Sequence, residues 1–573
     1  MHRSGGRRLS PPPFKACHKG GQRGSFLTPE QHDPTDPFSA LSLLRRLLNN
    51  TARSRYKMSP EEHKLALHLL TVVEPFISAS PMNKDDARRT MTRQPNEILD
   101  MIAFHIDSRR DLLALALTCQ RLRNVVLPRH LEYRVIHCKP SSEKVWRHLI
   151  AHPLLACNVR RLQIMDEKSR EAELIPTRVA EEPDTCNEEL EMHVEQQRLI
   201  LGALAQMTTL MSFSWACNNS LISFDDVSPT LFTCDTLREV EICDNLMFNP
   251  TSTSEGDEIS GDDAHVCGTP DVPDLASIAI RSAKNNYRSS KHPSLIRVQG
   301  LLISHCPNLT TLRIGYDHRR PFIPRADEFL SLGRWPSLKI LSLQNLWCST
   351  HTGFDAAANF LVAHPLIEIL HFELGRIQLD LPQGTLPHLK ELMCAREVAV
   401  AILTCPLDNG GTRPLEVMKG FKLGGGRDDP LLQCLRGYPG LKRVELLSFS
   451  EVEDVRKLAE AAPKLTWLDV GRKSSRPAKI SALAMPSVNE WAPVLCALSE
   501  LTTFHGVHFF YEFTDAASHS DRSRIKKNDE VASMLAWKCP KLRRVDYWDN
   551  SGKVVILGKE SERFKWEVRR AKA

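Results

Sequence analysis

One phrase recurs along the chain from about residue 155 to residue 550: a proline, then apolar residues at the second, fifth and seventh positions after it. It reads CPNLTTLRI from Cys306, WPSLKILSL from Trp335, HPLIEILHF from His364, LPHLKELMC from Leu386, YPGLKRVEL from Tyr438, APKLTWLDV from Ala462 and CPKLRRVDY from Cys539. Strand side chains alternate between two faces, so the fifth and seventh positions share one side of a strand. These are Leu312 and Ile314, then Leu341 and Leu343, and so on to Val545 and Tyr547. The second position, Leu309 and Leu338 in the first two copies, completes the spacing LxxLxL. Two stretches keep the spacing without proline, Val159-x-x-Leu162-x-Ile164 and Leu237-x-x-Val240-x-Ile242. Helical segments such as AANFLVAH, LLQCLRGY, VRKLAEAA and VASMLAWK stand before most of the prolines. Proline stops a helix and pushes the residue before it toward extended backbone. Each unit is therefore predicted to run helix, turn, strand.

The prolines lie 29, 29, 22, 52, 24 and 77 residues apart. Pro414 splits the 52 into 27 and 25, and the 77 is close to three units of the same size. A period of about 20–29 residues with LxxLxL is the leucine-rich-repeat signature. The asparagine usual three residues after the last apolar strand position occurs once in the seven phrases, as Asn550, with Asp317 in the first. Regular asparagine ladders are not expected, and the repeats are irregular.

A different period occupies residues 92–136. Pro95 opens a helix with Glu97 in its first turn. Ile98, Ile102 and Ile106 follow at intervals of four, with Leu99 and Ala103 beside them. After the polar break Asp107-Ser108-Arg109-Arg110, Asp111 is a natural N-cap for one helix over DLLALALTCQRLRNVV. Leu112, Leu115, Cys119, Leu122 and Val126 make one stripe; Leu113, Ala116 and Leu117 make a second. A short helix apolar nearly all round must be covered on several sides, by the rest of the chain or by another protein.

The order Pro95-x-Glu97-Ile98-Leu99-x-x-Ile102, then Asp111-Leu112-Leu113-x-Leu115-x-x-x-Cys119-x-Arg121-Leu122-Arg123, resembles the F-box. The resemblance covers about 45 of 573 residues. Two positions depart from the family: Gln94 replaces the usual leucine before the proline, and Leu122 the aromatic often found after Cys-x-Arg. In that family the module docks on a Skp-type adaptor carried by a cullin scaffold, and the F-box protein selects the substrate of the ubiquitin ligase. The whole chain resembles the F-box and leucine-rich-repeat proteins abundant in fungi. The resemblance implies that Pro95 and Glu97 set the first helix. It also implies that Ile98, Leu99, Ile102, Leu112, Leu115, Cys119 and Leu122 supply apolar contacts in or beneath an adaptor interface. The rival reading is a leucine-rich-repeat binding scaffold without a ubiquitin-ligase role, its helices serving as the N-terminal cap a solenoid needs. The two readings differ at Leu112 and Leu115, which residues 137–165 cover in a cap and leave partly exposed in an F-box.

The fold class is thus α/β, a small all-helical F-box-like module followed by an irregular leucine-rich-repeat solenoid with a parallel sheet. Residues 1–35, rich in Gly, Pro, Ser and Arg, read as a disordered basic tail. Residues 36–90 read as a helical extension. In it Phe38, Leu41, Leu44 and Leu48 form one stripe, and Ser59, Pro60 and Glu62 start a second helix. The module occupies 91–137, the array 138–557 and a basic tail 558–573. Acidic inserts at 166–198 and 251–275 interrupt the array and read as solvated loops. The second holds seven acidic residues and no Lys or Arg.

Composition adds exclusions. Hydrophobic residues are 42% and charged residues 25%, ordinary for a globular chain. No run approaches the ~18 apolar residues of a membrane span. The 16 cysteines are scattered without a CxxC pair and read as reduced thiols of an intracellular protein, cytoplasmic or nuclear. Net charge is +6, but residues 1–60 carry +8, leaving −2 for the rest. The basic excess therefore belongs to a tail, and neither nucleic acid nor membrane is an expected partner. HExxH, GxxxxGK[ST] and GxSxG are all absent. His148 and His152 sit four apart without a third ligand, and Gly424-Gly425-Gly426 reads as a turn before Asp428. No cofactor, metal or enzymatic activity is expected. The partners implied are a Skp-type adaptor, through it a cullin, and an unidentified protein substrate. Among the tryptophans of the C-terminal third, Trp548 is the candidate exposed anchor for a partner.

Overall fold

The computed structural model describes residues 39–45, 47, 60–78, 91 and 94–570, except 178, 180–188, 218–221, 251–271, 273, 283–291, 318–321, 351, 376, 409, 425, 427, 474–487, 512–518, 547–552 and 561–562. The basic tail 1–35, Ser59, Trp548, Asn550 and most of the 251–275 insert lie outside the described residues. The chain divides into two units at Leu99 and Asp100.

In the first unit, residues 39–45 are helical and α1 spans Pro60–Ser78, with Glu61 and Glu62 in its first turn. Carboxylates there complement the unpaired N–H groups of the helix start. Ala40, Leu44, Leu47, Ala66, Leu69 and Val73 form a small core. Leu41, placed by the sequence on the buried stripe, is exposed. The inward stripe runs through Ala40 instead, whose small side chain allows close packing.

Among the described residues, the second unit is built on one sheet of seventeen strands. They are β1 (Val135–Cys138), β2 (Arg161–Ile164), β3 (Ser212–Trp215), β4 (Glu239–Cys243), β5 (Ser277–Arg281) and β6 (Thr311–Gly315). Then come β7 (Ile340–Gln344), β8 (Ile369–Phe372), β9 (Glu391–Cys394), β10 (Val417–Leu423), β11 (Arg443–Phe449) and β12 (Trp467–Asp469). Last are β13 (Arg472–Lys473), β14 (Thr503–His508), β15 (Arg544–Asp546), β16 (Lys553–Glu560) and β17 (Arg563–Arg570). From β1 to β12 each strand pairs in parallel with the next in chain order. The short β13 continues the β12 unit beside β11, and β14 and β15 extend the parallel series. Between most strands stands a helix, so the array repeats helix, turn, strand.

The LxxLxL residues explain the arrangement. Leu309, Leu312 and Ile314, Leu338, Leu341 and Leu343, and their counterparts as far as Leu542 and Val545 are all buried. They join one continuous core under the helices. The residue before each proline is buried too, whatever its chemistry: Cys306, Trp335, His364, Leu386, Tyr438, Ala462 and Cys539. These positions link neighbouring units. The Trp335 indole donates to the Cys306 carbonyl at 2.9 Å, and the Trp335 backbone N–H donates to His364 Nε2 at 2.9 Å. His364 Nδ1 donates in turn to the Phe360 carbonyl at 2.6 Å. Polar groups buried between repeats are thereby satisfied.

Four expectations change. The array begins at β1, inside the segment assigned to the module, because Tyr133, Ile136 and Cys138 already carry the buried spacing. Among the described residues of the 77-residue interval, β12 and β13 are followed by one further strand, β14. Its unit is lengthened by the 20-residue helix His519–Lys538. Part of the 166–198 insert is ordered: the helix Glu189–Leu204 buries Leu199, Ile200 and Ala203 and supplies the helical layer between β2 and β3. Finally, residues 558–560 and 563–570 are not a free tail. β16 pairs antiparallel with β15, and β17 with β16. The hairpin covers the open edge of β15, and exposed Lys565, Glu567 and Arg569 make the new edge unfavourable for pairing with another chain.

Candidate functional site

The helices ahead of the array are α2 (Asn96–Phe104), α3 (Arg109–Ala116) and α4 (Gln120–Val126). The single helix expected over 111–126 is thus two. Thr118 Oγ1 donates to the Leu115 carbonyl at 2.7 Å, and Cys119 adopts extended backbone. On one straight helix Leu112 and Val126 would share a face but lie about 21 Å apart; with the break, Leu112, Ala116 and Val126 join one cluster. The N-cap is Ser108, whose Oγ accepts from the Asp111 N–H at 3.3 Å; Asp111 sits in the first turn.

Ala103, Leu112, Ala116, Val126 and Leu131 form the core of this module, with Ile106, Leu115 and Leu127 half-buried against it. Leu112 is therefore covered by the module's own helices, and no residue of 137–165 belongs to that cluster. Of the residues the resemblance implies, Leu99, Leu112 and Leu122 are buried, and Leu115 and Cys119 are half-buried. Pro95 and Glu97 are exposed at the start of α2. Ile98 and Ile102 lie one turn apart on an outward face of α2, 47% and 36% exposed. Three outward residues lie outside the implied interface set: Met101 on α2, and Leu113 and Leu117 of the second stripe, Leu117 being 76% exposed. Ala116, the third member of that stripe, is buried. Within the second unit, Met101, Ile102, Leu113 and Leu117 are thus large apolar side chains left exposed on or beside two short helices, with no apolar cover among the described residues.

Two arginines fix these helices to the first repeats. Arg134, fully buried, donates to the carbonyls of Ala103 (2.7 Å), Phe104 (2.8 Å), Ile106 (3.1 Å) and Asn158 (2.8 Å). The first three are the C-terminal carbonyls of α2 and its exit, groups no helix can satisfy internally. Arg160 donates to the Phe104 carbonyl at 2.8 Å and pairs with Asp107 at 3.0 Å. Its guanidinium lies 4.8 Å from the Phe104 ring centre. Burial, with Arg160 nearby, pushes the Arg134 guanidinium down to about 10, so it stays charged at neutral pH.

The outward sheet face mixes small and charged residues. Over β3 to β7 it carries Ser212, Ser214, Ser277, Ala279, Thr311 and Ser342 beside Glu239, Glu241, Arg281 and Arg313. Over β8 to β15 charged and aromatic residues stand among Ile369, Met393, Val417 and Thr503. Lys419 bridges Glu391 (2.8 Å) and Glu445 (3.6 Å), and Arg443 pairs with Glu445 at 2.6 Å. Arg443 also stacks 3.9 Å from the Trp467 ring centre. Beyond the C-terminal ends of β6 to β8 lies a cleft of about 650 Å³ walled by Phe322, Ile323, Arg325, Trp347 and Glu373. Burial raises the Glu373 carboxyl above its usual range.

His148 and His152 each have a protein partner. His148 Nε2 lies 2.7 Å from the Tyr133 hydroxyl, and His152 Nδ1 2.9 Å from the His148 carbonyl. Gly424 N–H donates to the Asp428 carboxylate at 2.6 Å, closing a turn. Among the described residues no three His, Cys, Asp or Glu side chains group to hold a metal, and no helix is long and apolar enough to cross a membrane.

No protein-family model matches the chain, and no curated protein matches it. Among solved structures, it is similar to a chain in the crystal structure of the Rad7 and Elc1 complex in yeast. That likeness covers 86% of this chain and 94% of the other, with 13% identity and a TM-score of 0.31. A likeness so distant assigns neither function nor partner.

Proposed function

We propose that this protein is the substrate-recognition subunit of a Skp-cullin-F-box type ubiquitin ligase. The observation that carries the reading is the outward apolar surface of α2 and α3, made by Ile98, Met101, Ile102, Leu113 and Leu117. A helical cap whose task is only to close a solenoid turns its large apolar side chains inward. Among the described residues the module's core does not include these five, and this reading gives them a partner outside the chain. The partner is a Skp-type adaptor, and through it a cullin. Leu99, Leu112 and Leu122 lie beneath the contact and hold the helices in shape, while Ile98 and Ile102 make it directly.

The repeats, read as leucine-rich repeats, present the substrate. The mechanism is proximity: the chain holds a protein where a separate ligase component delivers ubiquitin, and local concentration supplies the rate. Proximity works only if both binding surfaces keep a fixed relation. The Arg134 and Arg160 contacts supply that rigidity at the joint between α2 and the first repeats. No side chain of this protein takes part in the chemistry.

Co-purification from the native host tests the reading. The full chain is expected to bring down an adaptor and cullin, and an Ile98→Asp, Leu113→Asp variant of equal thermal stability to bring down neither. Absence of both from the unaltered chain leaves the leucine-rich-repeat scaffold as the better account.

A further inference from the structure

The helix His519–Lys538 has an electrostatic arrangement that works against its own stability. Arg522, Arg524, Lys526 and Lys527 all fall in its first half and are all exposed. Helix N-termini carry partial positive charge, so cations there are unfavourable. Arg522 and Lys526, four residues apart, also repel each other. Only part of this is relieved. Arg524 pairs with Asp521 at 3.1 Å, and Lys527 lies 5.3 Å from the Tyr511 ring centre. Arg522 and Lys526 have no ion pair or hydrogen-bond partner among the described residues.

The second half of the same helix exposes apolar surface. Trp537 is 74% exposed and Met534 37%. Lys527, Glu530, Met534 and Trp537 follow at steps of three and four, so they share one stripe. The surroundings strengthen the positive field. Residues 519–573 carry 15 Lys and Arg against 8 Asp and Glu, a charge of +7. With +8 in residues 1–60 and +6 overall, residues 61–518 carry −9. The basic excess is therefore not confined to the N-terminal tail; a second excess sits on a folded helix and hairpin.

We infer that this helix is a docking site for an acidic segment of a partner protein that also carries a large apolar side chain. The acidic residues pair with Arg522 and Lys526, and the apolar side chain packs on Trp537 and Met534. A half-cationic, half-apolar stripe of roughly 20 Å suits a peptide whose two chemistries are separated in the same way. It suits a nucleic acid less well. A phosphate backbone needs cations along its whole track, and exposed Glu530 interrupts this one. The inference deepens the substrate-receptor reading by naming a substrate class, and its test leaves the adaptor surface untouched.

A random peptide library of about twelve residues is selected against the immobilised full chain. Enriched peptides are labelled and titrated by fluorescence anisotropy against the full chain, an Arg522→Glu, Lys526→Glu variant and Trp537→Ala. A labelled oligothymidine of similar length is run beside them. All three altered side chains are exposed, and an unchanged melting temperature checks the fold. The expected result is enrichment of acidic peptides bearing an aromatic or large aliphatic residue. Each variant should weaken them roughly tenfold or more, and salt should weaken them further. Selection without acidic bias, or acidic peptides indifferent to the variants, overturns the inference. Oligothymidine binding lost in the variants, with no peptide bound, overturns it in favour of nucleic acid.

Discussion

Arg134 is the side chain whose loss this fold should feel most at its N-terminal joint. Its guanidinium, fully buried, is the donor to four carbonyls, three of them at the end of α2. Arg134→Ala removes those donors and leaves a space about the size of the side chain. A buried polar group without a partner costs about 1–3 kcal/mol. Water entering the space restores some of the bonds, so the expected net loss is about 3–5 kcal/mol rather than the full sum. Repeat arrays need not unfold in one step, so the clearest assay is native-state hydrogen exchange of peptides covering residues 100–131. A loss of that size raises exchange through local opening by roughly 10²–10⁴-fold there, while peptides from β6 to β12 stay protected. Arg134→Lys, which keeps the charge but reaches fewer carbonyls, should fall between. Exchange within about threefold of the unaltered chain would show that the carbonyls are satisfied without Arg134 and refute the reasoning.

Further expectations concern neighbouring residues with opposite roles. Leu112→Asp places a carboxylate in the module core and should destabilise it by about 4 kcal/mol or more, whereas Leu113→Asp should stay within about 0.5 kcal/mol; thermal melts distinguish them. Gly471 has φ +62°, and a Cβ there would collide with the Leu446 carbonyl oxygen. Gly471→Ala should therefore lower stability by about 2 kcal/mol or more, read in urea, and an unchanged midpoint would contradict the close approach. Burial raises the Asp244 carboxyl to about 6, with partial relief from the Leu246 N–H and the Trp215 indole. A folded value above the unfolded one means its favourable contribution is complete below pH ~4 and lost as pH rises through about 6. The gap corresponds to about 3 kcal/mol. Asp244→Asn should therefore raise the melting temperature relative to the unaltered chain at about pH 7.5 and give no such gain near pH 4; a pH-independent difference would contradict the assignment.

How much of this was legible in the sequence depended on which positions carried a chemical signature. The proline-anchored units were, because proline and LxxLxL mark both the end of a helix and the inward side of a strand. β3 was not, although Leu210, Phe213 and Trp215 bury the same way. It lacks the proline, and serines fill its outward positions. β5 keeps the full phrase, Pro273 followed by Leu275, Ile278 and Ile280, but its start lies inside the segment whose composition marks it as an acidic insert. The inter-repeat links at Cys306, Trp335 and His364 escaped notice because one buried role is filled by three unrelated side chains. In the module, periodicity could not choose between Leu112 and Leu113. A helix apolar on adjacent stripes has two candidate inward faces, and only the break at Thr118 and Cys119 decides which one turns in. Arg134 and Arg160 carried no signal at all, since a buried arginine is defined by the carbonyls around it and not by its neighbours in sequence. The C-terminal hairpin was hidden by its charges, which alternate along β17 as an edge strand requires and read in one dimension as a basic tail.

The central claim, that α2 and α3 present an adaptor-binding surface, is tested most directly by isothermal titration of the purified full chain with a purified Skp-type adaptor. The account predicts a saturable one-to-one association that disappears in the Ile98→Asp, Leu113→Asp variant and persists in Trp537→Ala. No association with a correctly folded chain, or equal association by the α2 and α3 variant, would contradict it.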